Sequence, residues 1–176
     1  DLATDAMPEL VQAMFPGSVY ENRFGTVAVR AGAERPVEIT TFRVDHDYAD
    51  FRRPHRIEFG DTIEADLARR DFTVNAMAWG TTGGAPATSG ASATSGAPAL
   101  VDPHGGHDDT VGGVLRAVGD PRARFEEDAL RMIRAVRLAA TLGFGVEPAT
   151  LAGMQARSSL VAHLSGERIA TELDKL

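Results

Sequence analysis

DPRARFEEDALRMIRAVRLAATLG, residues 120–143, divides this chain in two. Leu130, Ile133 and Val136 recur near helical spacing, Pro121 suits a first helical turn, and Gly143 marks a stop. The stretch therefore predicts one helix over 121–142. Beyond it, 148–157 and 166–176 read as two further helices. Before it, the style is different. Residues 26–30 and 36–43 read as strands turned at Gly32, which predicts a hairpin. A short helix is expected over 4–17, with Pro8 in its first turn, an apolar face of Leu10, Val11 and Met14, and a stop at Pro16 and Gly17. Another is expected over 62–70, begun by Asp61. Residues 72–79 are apolar, and their pattern fits a strand or a helix equally. Residues 100–118 have strand and turn character, punctuated by paired glycines at 105–106 and 112–113. The expected class is α+β: a mixed region over 1–117, then an all-helical region over 118–176.

Two polar stretches interrupt this pattern. Residues 44–56, VDHDYADFRRPHR, mix charges without a period and read as an exposed loop. Residues 72–101 carry no charged side chain, and 81–99 within them is a low-complexity tract of Gly, Ala, Ser, Thr and Pro. Such a composition buries too little apolar surface to offset the entropy of ordering. It reads as a mobile surface insertion without a function of its own.

Composition narrows the class. The 176 residues are 43% hydrophobic, enough for a real core. There is no cysteine, which excludes disulfides, thiolate metal sites and a cysteine nucleophile. No apolar run approaches a membrane span and no leader pattern opens the chain, so a cytoplasmic protein without a membrane partner is expected. The net charge of -7 argues against a generic nucleic-acid coat, yet suits carboxylates gathered around a cation. Lys175 is the only lysine, so the positive charge is almost all arginine, the better residue for bidentate contacts to phosphates and bases. The chain opens on Asp1 and closes on ERIATELDKL with a helical pattern still running, so a fragment is expected.

Several residues are candidates for chemistry. On one continuous helix Asp128 and Arg131 would share a face. A carboxylate accepts and a guanidinium donates, which complements the amino donor and ring-nitrogen acceptor on the pairing edges of cytosine and adenine. Guanine and uracil present the opposite order. On spacing alone, an exposed helix face laced with pairs such as Glu127 with Arg131 is the commoner outcome. In RRDFTVNAMA, residues 69–78, Arg69 and Arg70 could clamp a triphosphate, while Asp71 and Asn75 could bond ribose hydroxyls. The alternative is a charged rim at the end of an element. Glu38 shares a strand face with Thr40 and Phe42, pointing to solvent or joining a cation site. DPHGGHDD, residues 102–109, could be imagined as a metal site, although a Gly-rich polar loop is the commoner reading.

Taken in order, these segments resemble the class II tRNA nucleotidyltransferases, the CCA-adding enzymes, with bacterial poly(A) polymerases as near relatives. The resemblance rests on DLATDAMPE at 1–9, VEITTFR at 37–43, YADFRRP at 48–54, RRDFTVNAMA at 69–78, DPHGG at 102–106, EEDALRMIRAVR at 126–137 and SGERIATEL at 165–173. It implies a nucleotidyltransferase head with a small mixed sheet, incomplete at its N-terminus, over 1–117, and a helical neck over 118–176. It implies addition of CMP, CMP and AMP from CTP and ATP to the 3′ end of tRNA, with release of pyrophosphate. Asp1 matches the second aspartate of a magnesium-binding pair whose first member would lie upstream. Glu38 matches an acidic position beside that metal. Arg70, Asp71 and Asn75 match the motif that holds the nucleotide's sugar and triphosphate. Asp128 and Arg131 match the base-reading template, and Arg134 belongs to the same nucleotide-binding helix. Residues 44–56 match a flexible loop used in switching to the final A, and Glu167 and Arg168 a structural neck motif. Poly(A) polymerase or partial CC- or A-adding activity is the alternative within the family. A non-catalytic nucleotide-binding module is the alternative outside it, with little transfer expected from these 176 residues alone.

Overall fold

A computed structural model describes residues 2–22, 24–30, 32, 35–49, 53–60, 62–80 and 97–176. The first region is built on a four-stranded mixed sheet in the order β1-β4-β3-β2, from β1 (Leu2–Thr4), β2 (Val19–Asn22), β3 (Thr26–Val29) and β4 (Val37–Thr41). β3 and β4 form the expected antiparallel hairpin, and β1 joins β4 in parallel with Leu2 level with Ile39. Every residue of β3 is buried. The reason is α1 (Pro8–Met14), which starts on Pro8 and packs Val11 against Val27 and Val29. Thr41 is tied in by donating from Oγ1 to the Ala6 carbonyl at 2.7 Å.

The chain then leaves the sheet. β5 (Arg43–Ala49) and β6 (Arg53–Phe59) pair antiparallel from Arg43 opposite Phe59 to Ala49 opposite Arg53. The loop expected over 44–56 is thus a two-stranded ribbon over its described residues. Its ladder is made by the backbone, and a ribbon outside the main sheet has no obligatory buried face, so it needs no apolar alternation. α2 (Ile63–Ala68) follows, capped by Thr62, while Asp61, expected to begin it, lies outside the described residues. Residues 72–79 are neither one strand nor one helix: a 3-10 turn at Thr73–Asn75 precedes β7 (Ala78–Gly80), which pairs with β8 (Ala99–Val101). The low-complexity tract lies outside the described residues from 81 to 96. α3 (Gly106–Gly112) stands where strand and turn character was expected, and β9 (Val114–Leu115) follows it.

The expected helix over 121–142 is two helices. α4 (Pro121–Glu127) ends at Asp128, whose backbone is extended with φ −147° and ψ 108°, and α5 (Leu130–Leu142) begins afresh. The Asp128 carboxylate accepts the Leu130 N–H at 3.0 Å, a local bond that competes with the helical ladder. Gly143 ends α5 in the left-handed conformation. β10 (Gly145–Val146) pairs in parallel with β9, and α6 (Pro148–Arg157), a 3-10 segment at Ser158–His163 and α7 (Gly166–Leu173) complete the order.

One core crosses from the mixed region into the helical one. Phe72, Leu115 and Ala117 are buried with Phe125, Ala129, Met132 and Ala135. A second cluster, Leu67, Ala76 and Val118, seals the base of α2. Phe125 is fully buried and Gly153 of α6 lies against it and Pro121, where a Cβ would come within 2.7 Å of the Pro121 Cβ. Truncating Phe125 to alanine is expected to destabilise the chain by about 3–5 kcal/mol, read as a lower urea midpoint with an unchanged slope.

Candidate functional site

The site is assembled from the end of α2, the 3-10 turn, the α4–α5 break and α7. Asp66, on α2, is 1% exposed. It accepts from Arg69 Nε at 3.0 Å, from Arg70 Nη2 at 2.8 Å and from the Arg43 backbone N–H at 3.3 Å. Burial by itself would raise the Asp66 pKa, but the two guanidiniums outweigh it and hold the carboxyl below the ordinary aspartate value. One buried anion thereby aligns both arginines of RRDFTVN.

Asp71 follows at once and is 7% exposed. Its Oδ1 accepts the Phe72 N–H at 2.9 Å and Asn75 Nδ2 at 3.3 Å, so the carboxylate closes its own turn. Its Oδ2 lies 3.0 Å from Arg134 Nη2 as an ion pair, yet no directional hydrogen bond reaches that oxygen. Asn75 itself is exposed. Arg134 also faces Glu172 at 3.8 Å. Glu172, a buried acid on α7, takes Arg137 Nε at 2.7 Å and Lys175 Nζ at 3.0 Å. Burial opposes ionisation there too, and Lys175, Arg137 and Arg134 together keep the Glu172 pKa low.

Asp128 and Arg131 do not share one continuous helix, because Asp128 sits in the break and Arg131 in the first turn of α5. Each is held by other partners. Arg168 of α7 donates from Nη2 to both Asp128 oxygens, at 3.0 and 3.3 Å. Arg131 donates to Glu127 at 2.6 Å, to the Arg124 carbonyl at 3.3 Å and, across 62 residues of sequence, to the Arg69 carbonyl at 3.2 Å. The pair of Glu127 with Arg131 is therefore real, but it is largely buried and joins the two regions instead of lacing an open helix face.

Other candidates stand apart. Glu38 is exposed on β4, level with Ala28 of β3. Asp1 lies outside the described residues. Among the described residues no group of three or more His, Asp or Glu is placed to hold a metal ion, so the described donors by themselves do not make a magnesium site. DPHGGHDD is no metal loop: Asp102 accepts the Gly106 and His107 N–H groups at 2.7 and 2.9 Å, starting α3, while Asp109 holds Arg116. Of the neck motif, Glu167 is exposed and Arg168 reaches the site. Sequence reading missed Asp66 and Glu172. A signal existed for both, since Asp66 lies three and four residues before arginines and Glu172 lies three before Lys175.

A mixed-sheet region is joined to a helical one, with Arg69, Arg70, Arg131, Arg134 and Arg168 near the seam, and this architecture has known relatives. Residues 1–116 match the family model described as the poly A polymerase head domain, and residues 143–176 match that of the probable RNA and SrmB-binding site of polymerase A. The chain belongs to the poly A polymerase head-domain family. It is 40% identical to the CCA-adding enzyme of Geobacillus stearothermophilus and 41% identical to that of Bacillus subtilis, in each case over the whole of this chain. It spans about 40% of the length of those relatives. Among solved structures, the Bacillus stearothermophilus CCA-adding enzyme in complex with CTP superposes on 98% of this chain, and 38% of its own, with a TM-score of 0.79 and 36% identity. The Thermotoga maritima CCA-adding enzyme complexed with tRNA shares the fold over 95% of this chain and 35% of its own, with a TM-score of 0.63 and 23% identity.

The depressed Asp66 pKa has a definite sign. Its stabilising contribution is present above the unfolded value of about 3.9 and is lost as pH falls through the lower folded value. The melting-temperature gap between wild type and Asp66→Asn is expected to be full at neutral pH and to close below about pH 4. Thermal unfolding followed by circular dichroism across that range measures it.

Proposed function

We propose that this chain is the nucleotide-binding head and neck of a CCA-adding enzyme. The protein carrying it transfers CMP, CMP and AMP from CTP and ATP to the 3′ end of tRNA and releases pyrophosphate. The observation that carries the reading is the joining of two distant motifs: Arg131 reaches the Arg69 carbonyl and Arg134 pairs with Asp71. RRDFTVNAMA and EEDALRMIRAVR thus face one seam, as one nucleotide site requires.

The residue chemistry then divides the nucleotide among its holders. Arg70, organised on Asp66 but partly exposed, meets the triphosphate. Asp71 Oδ2, buried and without a directional donor, accepts from a ribose hydroxyl, with Asn75 beside it. Asp128 accepts from the amino group of cytosine or adenine and Arg131 donates to the ring nitrogen. Reading a base at that edge requires Asp128 to exchange its bond with Arg168, and Arg131 one of its own, for the nucleotide. Arg134 spans the site, countering Asp71 on one side and Glu172 on the other. Asp1 keeps its proposed role as a magnesium ligand, supported by DLATDAMPE, and Glu38 a proposed place beside it. The head is proposed to span 1–117 and the neck 118–176. A cytoplasmic location is proposed with the tRNA substrate; separately, among the described residues no helix is long and apolar enough to cross a membrane.

With tRNA lacking its CCA end, CTP, ATP and magnesium, the protein carrying this chain is expected to append C, C and A. CTP alone should stop after two additions. A ladder of A from ATP alone would assign poly(A) polymerase instead, and no extension by a folded preparation overturns the proposal. Replacing Arg131 with alanine is expected to relax the preference for CTP and ATP over UTP and GTP by about 1–3 kcal/mol, the worth of a bidentate base contact. Competition binding against all four nucleotides checks it, with unchanged discrimination refuting the base-reading role.

A further inference from the structure

The DPHGGHDD segment is recognisable in sequence, brings no three His, Asp or Glu side chains together as metal ligands and has no part in the nucleotide contacts above. Its position shows another use. The 3-10 turn that presents Asp71 and Asn75 is centred on Thr73, which is buried. Thr73 is held from three directions, all of them residues of 105–117. Its N–H donates to the Arg116 carbonyl at 2.9 Å. Its hydroxyl donates to Asp109 Oδ2 at 2.6 Å. Its carbonyl lies against Gly106, where a Cβ would stand 2.1 Å from the Thr73 oxygen and 2.9 Å from Met77 Cγ. Only glycine allows that approach, and its φ is ordinary, so contact and not backbone strain requires it.

Asp109 is itself fixed. Arg116 donates to it from Nε at 3.0 Å and from Nη2 at 3.1 Å, and Arg116 Nη1 lies 3.6 Å from Glu147. Asp102 in turn fixes the start of α3 through the Gly106 and His107 N–H groups. Each anion is satisfied, so the assembly is rigid and not merely close.

We propose that residues 102–116 are a clamp on the nucleotide-holding turn, with Gly106 and Asp109 as positioning residues that act on Asp71 and Asn75 through Thr73. The clamp sets where the sugar-binding carboxylate and amide stand, and therefore how well a ribose is told from a deoxyribose. This rests on the nucleotide-binding reading above.

The test has two arms on the 176-residue chain. In the nucleotide-free state, hydrogen exchange is measured at the Thr73, Asn75 and Ala76 amides, which are bonded to Arg116, Phe72 and Thr73 carbonyls. Thr73→Val and Asp109→Asn are expected to speed exchange there by about tenfold while β3 keeps its protection. In the second arm, calorimetry compares CTP with 2′-deoxy-CTP. Both variants are expected to weaken CTP by about tenfold and to narrow the gap to the deoxy form. Thr73→Ser, which keeps the hydroxyl, restores both readouts. Gly106→Ala serves as a displacement control, read only if its melting curve remains cooperative. If Thr73→Val and Asp109→Asn lower the melting temperature but leave exchange at 73–76 and the CTP preference unchanged, the clamp is overturned. If wild type binds no CTP, the nucleotide reading fails, and the exchange arm alone still decides for or against the clamp.

Discussion

The antiparallel bridge between Phe72 and Ala117 is the joint on which the molecule turns. Its two flanking bonds, Thr73 N–H to the Arg116 carbonyl and Val118 N–H to the Asp71 carbonyl, hold the RRDFTVN backbone against the segment between β9 and α4. The bridge also aims Phe72 into the core shared with Phe125, Ala129 and Met132. A residue buried at the meeting of both regions cannot move without disturbing both. Its two neighbours, Asp71 and Thr73, inherit that immobility: one faces the candidate site and the other faces α3.

Charge is organised on the same plan. Burying a carboxylate is costly unless it is paired. The buried acids here, Asp66, Asp71, Asp109 and Glu172, each meet at least one arginine. The acids align guanidiniums rather than cancel them, because Arg70 and Arg134 keep a large part of their surface in water. A chain with net charge -7 can therefore still present partly exposed guanidiniums, those of Arg70 and Arg134, at this seam. The overall sign described the average surface, and the seam is where a polyanionic nucleotide would be met.

α7 shows how a neck helix enters the site. Arg168 and Glu172 are four residues apart, hence on one face, and each grips a residue from the candidate set: Arg168 takes Asp128, and Glu172 faces Arg134. In this state the proposed base-reading groups are occupied by protein partners. Under the proposed base-reading role, recognition would require exchange of these existing bonds, so their strength would enter the selectivity.

Local patterns legible in the chain were those set by neighbours: the β3–β4 hairpin, the Pro8 start of α1, the Gly143 stop, and the change from mixed to helical structure near residue 120. The motifs themselves, and the family they point to, were equally legible, because residue identity and order carry them. Four things were not. The β5–β6 ribbon is made by backbone bonds that need no side-chain period. The α4–α5 break depends on one aspartate bonding the chain two residues on, in a stretch whose apolar spacing still reads as helix. α3 hides behind glycines, one of which is present because Thr73 must come close. And the burial of Asp66 and Glu172 among arginines appeared only in the fold, although their spacing to basic residues was visible in the chain. By itself the sequence determined which chemistries were available and in what order. Tertiary structure alone decided which groups meet, since contacts such as Arg131 with Arg69 span 62 residues and no local pattern encodes them.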